Sequence, residues 1–414
     1  MADSFLTHDM IAERALFDLK NNLVMAKPGN VYMGYDSELA DSPNGYKKGN
    51  SVRIRKPNKY RTQSGPSISH VDIVERNTTV TVDTHKVVPL DFLVSDMTYS
   101  IDRLSERFIN PAMIPIANDV DYDGLGEYAN VYNWVGTKGT TPATLQVLAD
   151  AKEILTNEAV PQSPRICVMS PKAIAAMSTG EMKALFSSMI TEKVVKTGFA
   201  GGPWQGFMVF EDQNVRAHTH GTATSLGTLS GTASEGATTI SVTGATSGGT
   251  VTAGTVITIG SVYAVNPVSG VKFEGNQLRK FVVTADVTLS GGTGDIAVYP
   301  TIYSESADSK YLPYQTVNGI PTSGAAVTGI SGTTSGEVRA QNLAFHPNCF
   351  ALTVVPFQKP ESAFQWATAT DPDLGLSVSI SSDYDITNFK EITRLDILYG
   401  WDTIYPELGC RITG

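Results

Sequence analysis

Between Ala217 and Val271 a single charged residue, Glu235, interrupts a run of Gly, Ser, Thr, Ala and Val. A stretch so poor in charge has no amphipathic helical stripe to bury. Its short alternating patterns, ATTISVTG and GTVTAGTVITIG, sit between glycine turns and predict β-strands. The pattern continues through KFVVTADVTL and DIAVYPTIY and fades near Gly336. Residues 217–338 are therefore expected to form an inserted all-β barrel or sandwich. At 414 residues the chain has room for two or three domains. An insertion here leaves the tail, 339–414, to pair with strands from before residue 216, so the surrounding domain is discontinuous.

The flanking sequence is mixed. Ile11, Ala15, Leu16, Leu19 and Leu23 recur at helical spacing across 7–25, with Thr7 as N-cap and Asp9 and Glu13 near the positive end of the dipole. Pro28-Gly29 ends that helix. Residues 78–94 alternate as strands through Val80, Val82, Val87 and Val88. From Tyr99 to about Asn133 the spacing turns helical, through Ile101, Leu104, Phe108, Ile116 and Val120. Pro111 and Pro115 fall inside it. Proline costs about 3 kcal/mol in a helix interior, so a kink or break is expected there. Leu145, Leu148, Ala149 and Leu155 mark a further helix; RICVMS and FMVFED read as strands, SPKAIAAM and EMKALFSSMI as helices. In the tail, NLAFHPNCFALTVVPF, LSVSISSDYD and ITRLDILYGWDTI are strand-like.

Composition narrows the function. Charged residues make up 17% of the chain, against about 25% in ordinary soluble proteins. That suits a protein burying surface on several sides. The net charge of -10 disfavours a dedicated nucleic-acid binder. Cys167, Cys349 and Cys410 are far apart and odd in number, which argues against a disulfide framework or a Cys-pair zinc site and for a reducing compartment. The opening MADSFLTHDM lacks the basic and apolar regions of a secretory signal, and no apolar run approaches membrane-spanning length. A soluble, cytosolic chain is expected.

Motifs for catalysis are missing: there is no nucleophile elbow, phosphate loop or zinc helix. Asp119, Asp121, Asp123 and Gly124 mimic the start of a calcium loop, but its twelfth position is Asn130 rather than Glu. Solvated or subunit-facing carboxylates on a helix are the simpler reading. Gly124-Leu-Gly126-Glu-Tyr-Ala129 follows helical sequence, where a dinucleotide fingerprint would follow a strand. His218-Thr-His220 has no Cys or carboxylate close in sequence and reads as a loop or hinge. No enzymatic activity, cofactor or metal is expected.

Residues 42–70 carry Lys47, Lys48, Arg53, Arg55, Lys56, Lys59 and Arg61 and no acid. Val52 and Ile54 alternate with Arg53 and Arg55, a short strand pattern bracketed by Gly and Pro. This predicts a long basic hairpin leaving the body of the protein. Such a loop needs a partner surface. The acidic chain itself offers complementary charge, and base-stacking aromatics are nearly absent, with Tyr46 and Tyr60 flanking the run. Contact with a second copy is favoured over a solvated loop, and that over nucleic acid.

In this order the pieces resemble the major coat protein of tailed bacteriophages, the podovirus-type family with an inserted β-domain. The segments that carry the likeness are LTHDMIAERALFDLKNNLVM, KGNSVRIRKP, SIDRLSERFINPAMIPIANDVD, EKVVKTGFAGGPWQGFMVFEDQNV, GTVITIGSVYAVNP, NLAFHPNCFALTVVPF and LSVSISSDYDITNFKEITRLDILYGW. The resemblance implies an α+β fold of the tailed-phage and herpesvirus capsid type. Its parts would be an N-terminal arm (1–41), an extended loop (42–77), a peripheral domain with a spine helix (78–142), an axial domain (143–216), the inserted β-domain (217–338) and return strands (339–414). It implies hexamers and pentamers tiling an icosahedral head around double-stranded DNA, assembled in the host cytoplasm. Scaffolding protein, portal and a decoration protein would be partners, and DNA would be enclosed without sequence-specific binding. Gly201-Gly202-Pro203 and the loop around Gly29 are the expected hinges. The alternative is another phage structural or adhesin-like β-rich binding protein, for which 217–338 alone would serve.

Overall fold

The computed structural model describes residues 8–27, 30–32, 50–62, 65, 70–93, 109–179, 204–329, 336–359, 365–371, 376–388 and 390–413. Lys47, Lys48, Thr7, Pro28-Gly29, the Tyr99–Phe108 part of the expected helix, EMKALFSSMI and Gly201-Gly202-Pro203 lie outside them. The chain divides into two compact bodies. One gathers Met1–Ile54, Asn77–Gly124 and Phe350–Ile404; the other gathers Arg55–Arg76, Leu125–Cys349 and Tyr405–Gly414.

In the first body, helix α1 (His8–Asn22) buries Ile11, Ala12, Ala15, Leu16 and Leu19, the stripe its spacing predicts. That stripe packs on strands β19 (Gln365–Thr370) and β20 (Ser377–Asp385). The spine of the sheet is β21 (Lys390–Thr403). β3 (Thr84–Leu93) pairs with it antiparallel, Val88 opposite Leu395. β20 also pairs with it, and β18 (Phe350–Val354) joins its C-terminal end. Strands β1 (Ser51–Lys56) and β2 (Arg76–Thr81) form a separate two-stranded ribbon.

Helix α2 (Asn110–Gly126) narrows one expectation, because it is not broken at Pro115. Pro111 sits in the first turn, where a missing N–H is harmless. Pro115 lies on the exposed face, while Ala112, Met113, Ile116, Ala117 and Val120 are buried on the other. Burying a large apolar side chain is worth about 1.5–3 kcal/mol, so this stripe outweighs the proline. The helix also ends earlier than expected, passing into a 3-10 turn at Glu127–Asn130. Gly124 is there for space: a Cβ on it would lie 2.6 Å from the ring of Trp401, whose indole N–H donates to the Val120 carbonyl at 3.0 Å.

The second body has its own five-stranded sheet. Its strands are β4 (Trp134–Val135), β5 (Ile166–Met169), β6 (Met208–Glu211), β17 (Asn342–Phe345) and β22 (Gly409–Ile412), in the order β4-β22-β17-β5-β6. The pairs β4–β22 and β5–β6 are parallel; β17 is antiparallel to both its neighbours. Every residue of β5, β17 and β22 is buried. Helices α3 (Leu145–Asn157) and α4 (Pro171–Thr179) supply Leu148, Ala151, Leu155, Ala173 and Met177 to the same core.

The charge-poor segment is a closed barrel. It is entered and left through β7 (Ala217–Thr219) and β16 (Val338–Ala340), which pair antiparallel with His218 opposite Arg339. Between them run β8 (Thr228–Leu229), β9 (Ala237–Thr243), β11 (Val256–Tyr263), β12 (Leu278–Val283), β14 (Gly294–Ile302) and β15 (Val327–Gly329), in the order β15-β11-β12-β14-β9-β8. A side pair is made by β10 (Thr250–Val251) and β13 (Val287–Thr288). The two ends of the six-stranded sheet meet: Thr228 bridges to Ala326, Leu229 N–H donates to the Ala325 carbonyl and Val327 N–H to the Gly227 carbonyl. Closure pairs the two end strands of this sheet, β8 and β15, with each other, so neither offers an edge for a passing chain to extend. Gly227 makes it possible, with φ of +67° and a Thr243 carbonyl oxygen 2.1 Å from where a Cβ would stand. Ile240, Val242, Ile257, Ile259, Phe281, Val283 and Ile296 fill the interior.

Few charges remain on the barrel, and two of them bind it to the sheet. Arg279 on β12 meets Glu158, just beyond α3, at 2.5 Å, with both side chains 4% exposed. Its guanidinium also lies 4.6 Å from the centre of the Tyr132 ring. Burial pushes the Glu158 carboxyl up, against the pull of Arg279. Lys280 donates to the Trp134 carbonyl at 2.5 Å, and Asn266 donates to the Asn157 carbonyl at 2.8 Å.

Removing one member of a buried ion pair strands the other. Glu158→Leu is expected to cost about 3–5 kcal/mol, and Glu158→Leu with Arg279→Met much less. Urea unfolding of both variants checks this; equal losses would refute it.

Candidate assembly surface

The basic run divides along its length. Arg53 is exposed on β1. Arg55, with its side chain 83% exposed, has only a 4.0 Å approach to Glu75, itself 66% exposed, a pair that water screens to little effect. The next three cations meet groups of their own chain. Lys56 is half-buried with its ammonium 5.1 Å above the Tyr405 ring, and burial lowers its pKa. Lys59 lies 3.6 Å from Glu407. Arg61 donates to the Gln315 side-chain oxygen at 3.0 Å. Lys56, Lys59 and Arg61 therefore engage groups of their own chain, whereas Arg53 and Arg55 point to solvent. Tyr60 and Ile73 stand 73% and 63% exposed on the same loop. Apolar groups so exposed beside exposed cations are the composition of a contact surface.

The other motifs turn out to be structural. Asp121 is buried, and its carboxylate accepts the backbone N–H of Val24 at 2.6 Å and of Ala26 at 2.8 Å, fixing the turn that follows α1. That corrects the reading of all three aspartates as solvated or subunit-facing. Asp119 and Asp123 lie 3.2 and 3.5 Å from Lys86, and the Tyr399 hydroxyl donates to Asp123 at 2.8 Å. Among the described residues no group of three or more His, Cys, Asp or Glu is arranged to hold a metal ion. The three thiols are buried, which pushes their pKa values up, that of Cys410 to about 12, so none is a nucleophile at neutral pH. Among the described residues no helix is long and apolar enough to cross a membrane.

His218 and His220 belong to the stem of the barrel. His218 is buried, with Nδ1 3.0 Å from the Tyr128 hydroxyl and Nε2 3.3 Å from the Thr255 hydroxyl. The His220 ring packs edge-on at 4.6 Å between centroids. Burial first, then His220 and Arg411, lower the His218 pKa to about 3. The stem ring is thus held neutral.

Sequence reasoning missed Tyr314, Gln315, Glu407 and Arg411. Each acts on residues roughly 160 to 350 positions away, and no local pattern marks such a partner. For Arg411 there was one signal: a lone cation inside the strand GCRI, all of it buried.

A model of the P22 coat protein family (P22 coat protein, gene protein 5) matches residues 1–414. No curated protein sequence matches the chain significantly. Solved structures to which the chain is similar include one from Mycobacterium phage Che8, 12% identical with a TM-score of 0.48, covering 92% of this chain and 88% of that one. Others are the mature capsid of bacteriophage PhiM1 (11% identical, TM-score 0.41, covering 88% and 82%) and the capsid of Ralstonia phage GP4 (8% identical, TM-score 0.43, covering 92% and 89%).

The histidine geometry has a pH consequence. His218 is neutral when folded and takes up a proton once unfolded below about pH 6.5. Its depressed pKa therefore contributes stability that is complete above about pH 6.5 and is lost as pH falls toward 3. Between pH 7 and 5 the loss is about 2 kcal/mol. His218→Gln should flatten the fall in thermal stability over that range; an unchanged slope would exclude the stem histidine as its source.

Proposed function

The chain belongs to the P22 coat protein family, and from that premise we propose that it assembles as hexamers and pentamers into an icosahedral head enclosing double-stranded DNA. It is a capsid protein of a phage head, and its place is the virion shell. The full-length family match carries that assignment. Its function is contact, made many times by symmetry, and no catalytic group is called upon.

The contact proposed first is the ribbon of the extended loop, with Lys47, Lys48, Arg53 and Arg55 lying over a neighbouring copy. Exposure of Arg53 and Arg55 supports it, and so does a chain carrying a net charge of -10. A matching surface on the neighbour is the tip between β20 and β21, where Asp383 and Tyr384 are exposed and Ile386 is 82% exposed. Lys56, Lys59 and Arg61, at the end of β1 and in the connection to β2, are assigned to contacts within the subunit instead. The acidic chain encloses DNA without gripping it, since phosphates are repelled on average. Scaffolding protein, portal and a decoration protein are proposed as further partners. A free adhesin module fits less well, because the barrel is bonded into the body through Arg279, Lys280 and Arg411.

Arg53→Glu with Arg55→Glu is expected to leave the subunit folded, within about 0.5 kcal/mol of wild type, because both positions are exposed. Shell formation should be lost, read by sedimentation and negative-stain electron microscopy beside wild type. Normal particles from the double variant would remove the ribbon contact.

A further inference from the structure

We propose that the inserted barrel is the seat that holds the outer part of the extended loop, the connection between β1 and β2, in one direction, with Tyr314 as the positioning residue. The inference rests on the reading of the ribbon as an assembly contact, although every bond it invokes lies within one subunit and one body.

Two limbs of the loop meet at a single hydroxyl. On the returning limb, Tyr314 Oη donates to the Val74 carbonyl at 3.1 Å. On the outgoing limb, the Lys59 backbone N–H donates to the same oxygen at 3.4 Å. A phenol has one proton and two lone pairs, so both bonds form together. The Arg76 guanidinium covers the Tyr314 ring at 5.1 Å. Beside it, Gln315 takes Arg61 on its side-chain oxygen at 3.0 Å, while its amide donates to the Val317 carbonyl at 2.9 Å. Arg61 also fills a notch at Gly270, where a Cβ would lie 2.1 Å from the guanidinium.

The seat is itself firm. Tyr314 closes a 3-10 turn, Leu312–Tyr314, and is buried. The next residues are tied to the end of β14: Thr316 donates its hydroxyl proton to the Thr301 carbonyl at 2.8 Å, and the Thr316 and Val317 N–H groups bond the Tyr303 carbonyl. A loop anchored on one limb swings about that point. Anchored on both limbs against a closed barrel, it keeps one direction and loses that entropy before any neighbour arrives. Because the contact is repeated by symmetry, an error in loop direction becomes an error in shell curvature. The barrel thus acts on the geometry of assembly through its own subunit's loop.

Tyr314→Phe in the full chain keeps the ring and its Arg76 contact and removes the hydroxyl alone. Hydrogen–deuterium exchange is expected to quicken about tenfold across 57–62 and 70–76, with β11, β12 and β14 unchanged. Particles should become irregular in curvature under conditions where wild type gives uniform shells. Arg61→Ala, which releases the loop from its own side, should do the same and covers the case of poor Tyr314→Phe yield. A merely stabilising role would lower the unfolding temperature and leave shell shape uniform. Unchanged exchange across 57–62 and 70–76, or faster exchange with uniform shells, overturns the proposal. Normal assembly of the Arg53/Arg55 double variant would instead remove the ribbon contact, while the exchange result still judges the seat.

Discussion

Arg411 is wholly buried on the last strand, and the second body is organised around it. Its guanidinium donates to the Val131 carbonyl at 2.8 Å and to the Gly254 carbonyl at 2.6 Å, and it lies 5.2 Å from the Tyr128 ring centre. Burial lowers its pKa to about 9, so it is still charged at neutral pH. A buried cation is tolerable only where oriented dipoles replace its water. Here those dipoles come from the turn after α2 and from the barrel, while the cation comes from β22. Absence of any one leaves either a stranded charge or stranded carbonyls. The three parts are thereby bound to form together, although they are far apart in the chain.

The same logic explains where the barrel keeps its charge. A closed barrel is stable on apolar filling and backbone bonds, and its Ser- and Thr-rich strands need no ion pairs of their own. Charge is then free to mark orientation. Arg279, Lys280 and the Gly254 carbonyl face the sheet; Tyr314, Gln315 and Gly270 face the loop. A barrel turned to any other angle would bury Arg279 and Glu158 unpaired, which is far costlier than a mispacked apolar face.

What could be read from sequence follows the range of the interactions concerned. The α1 stripe and the strands of the barrel were legible because alternation and helical spacing are local. The choice between barrel and sandwich was not, since closure depends on bonds between Leu229 and Ala325. That the helix would continue past Pro115 was not legible, because proline's cost is a property of the helix alone, whereas the burial that overcomes it is tertiary. Asp121 looked like a surface carboxylate because the N–H groups it satisfies lie 95 and 97 positions earlier. The basic run looked uniform for the same reason: Glu407 and Gln315, which claim its second half, are hundreds of residues downstream.

That division of the basic run suits a subunit that must assemble without locking in mistakes. Exposed ion pairs are worth about 0–1 kcal/mol each and weaken with salt. A contact built from Arg53 and Arg55 is therefore weak singly and reversible, and gains strength only when symmetry repeats it. Such weak contacts suffice if little ordering is left to oppose them. Lys56, Lys59 and Arg61 do that ordering inside the subunit, Lys56 and Arg61 from half-buried positions and Lys59 through a part-exposed pair with Glu407. The loop then arrives already aimed. Had the same seven cations all been left for the neighbour, each contact would have been stronger but would have had to order the loop as it formed. The observed arrangement separates direction, which must be constant, from adhesion, which must be adjustable.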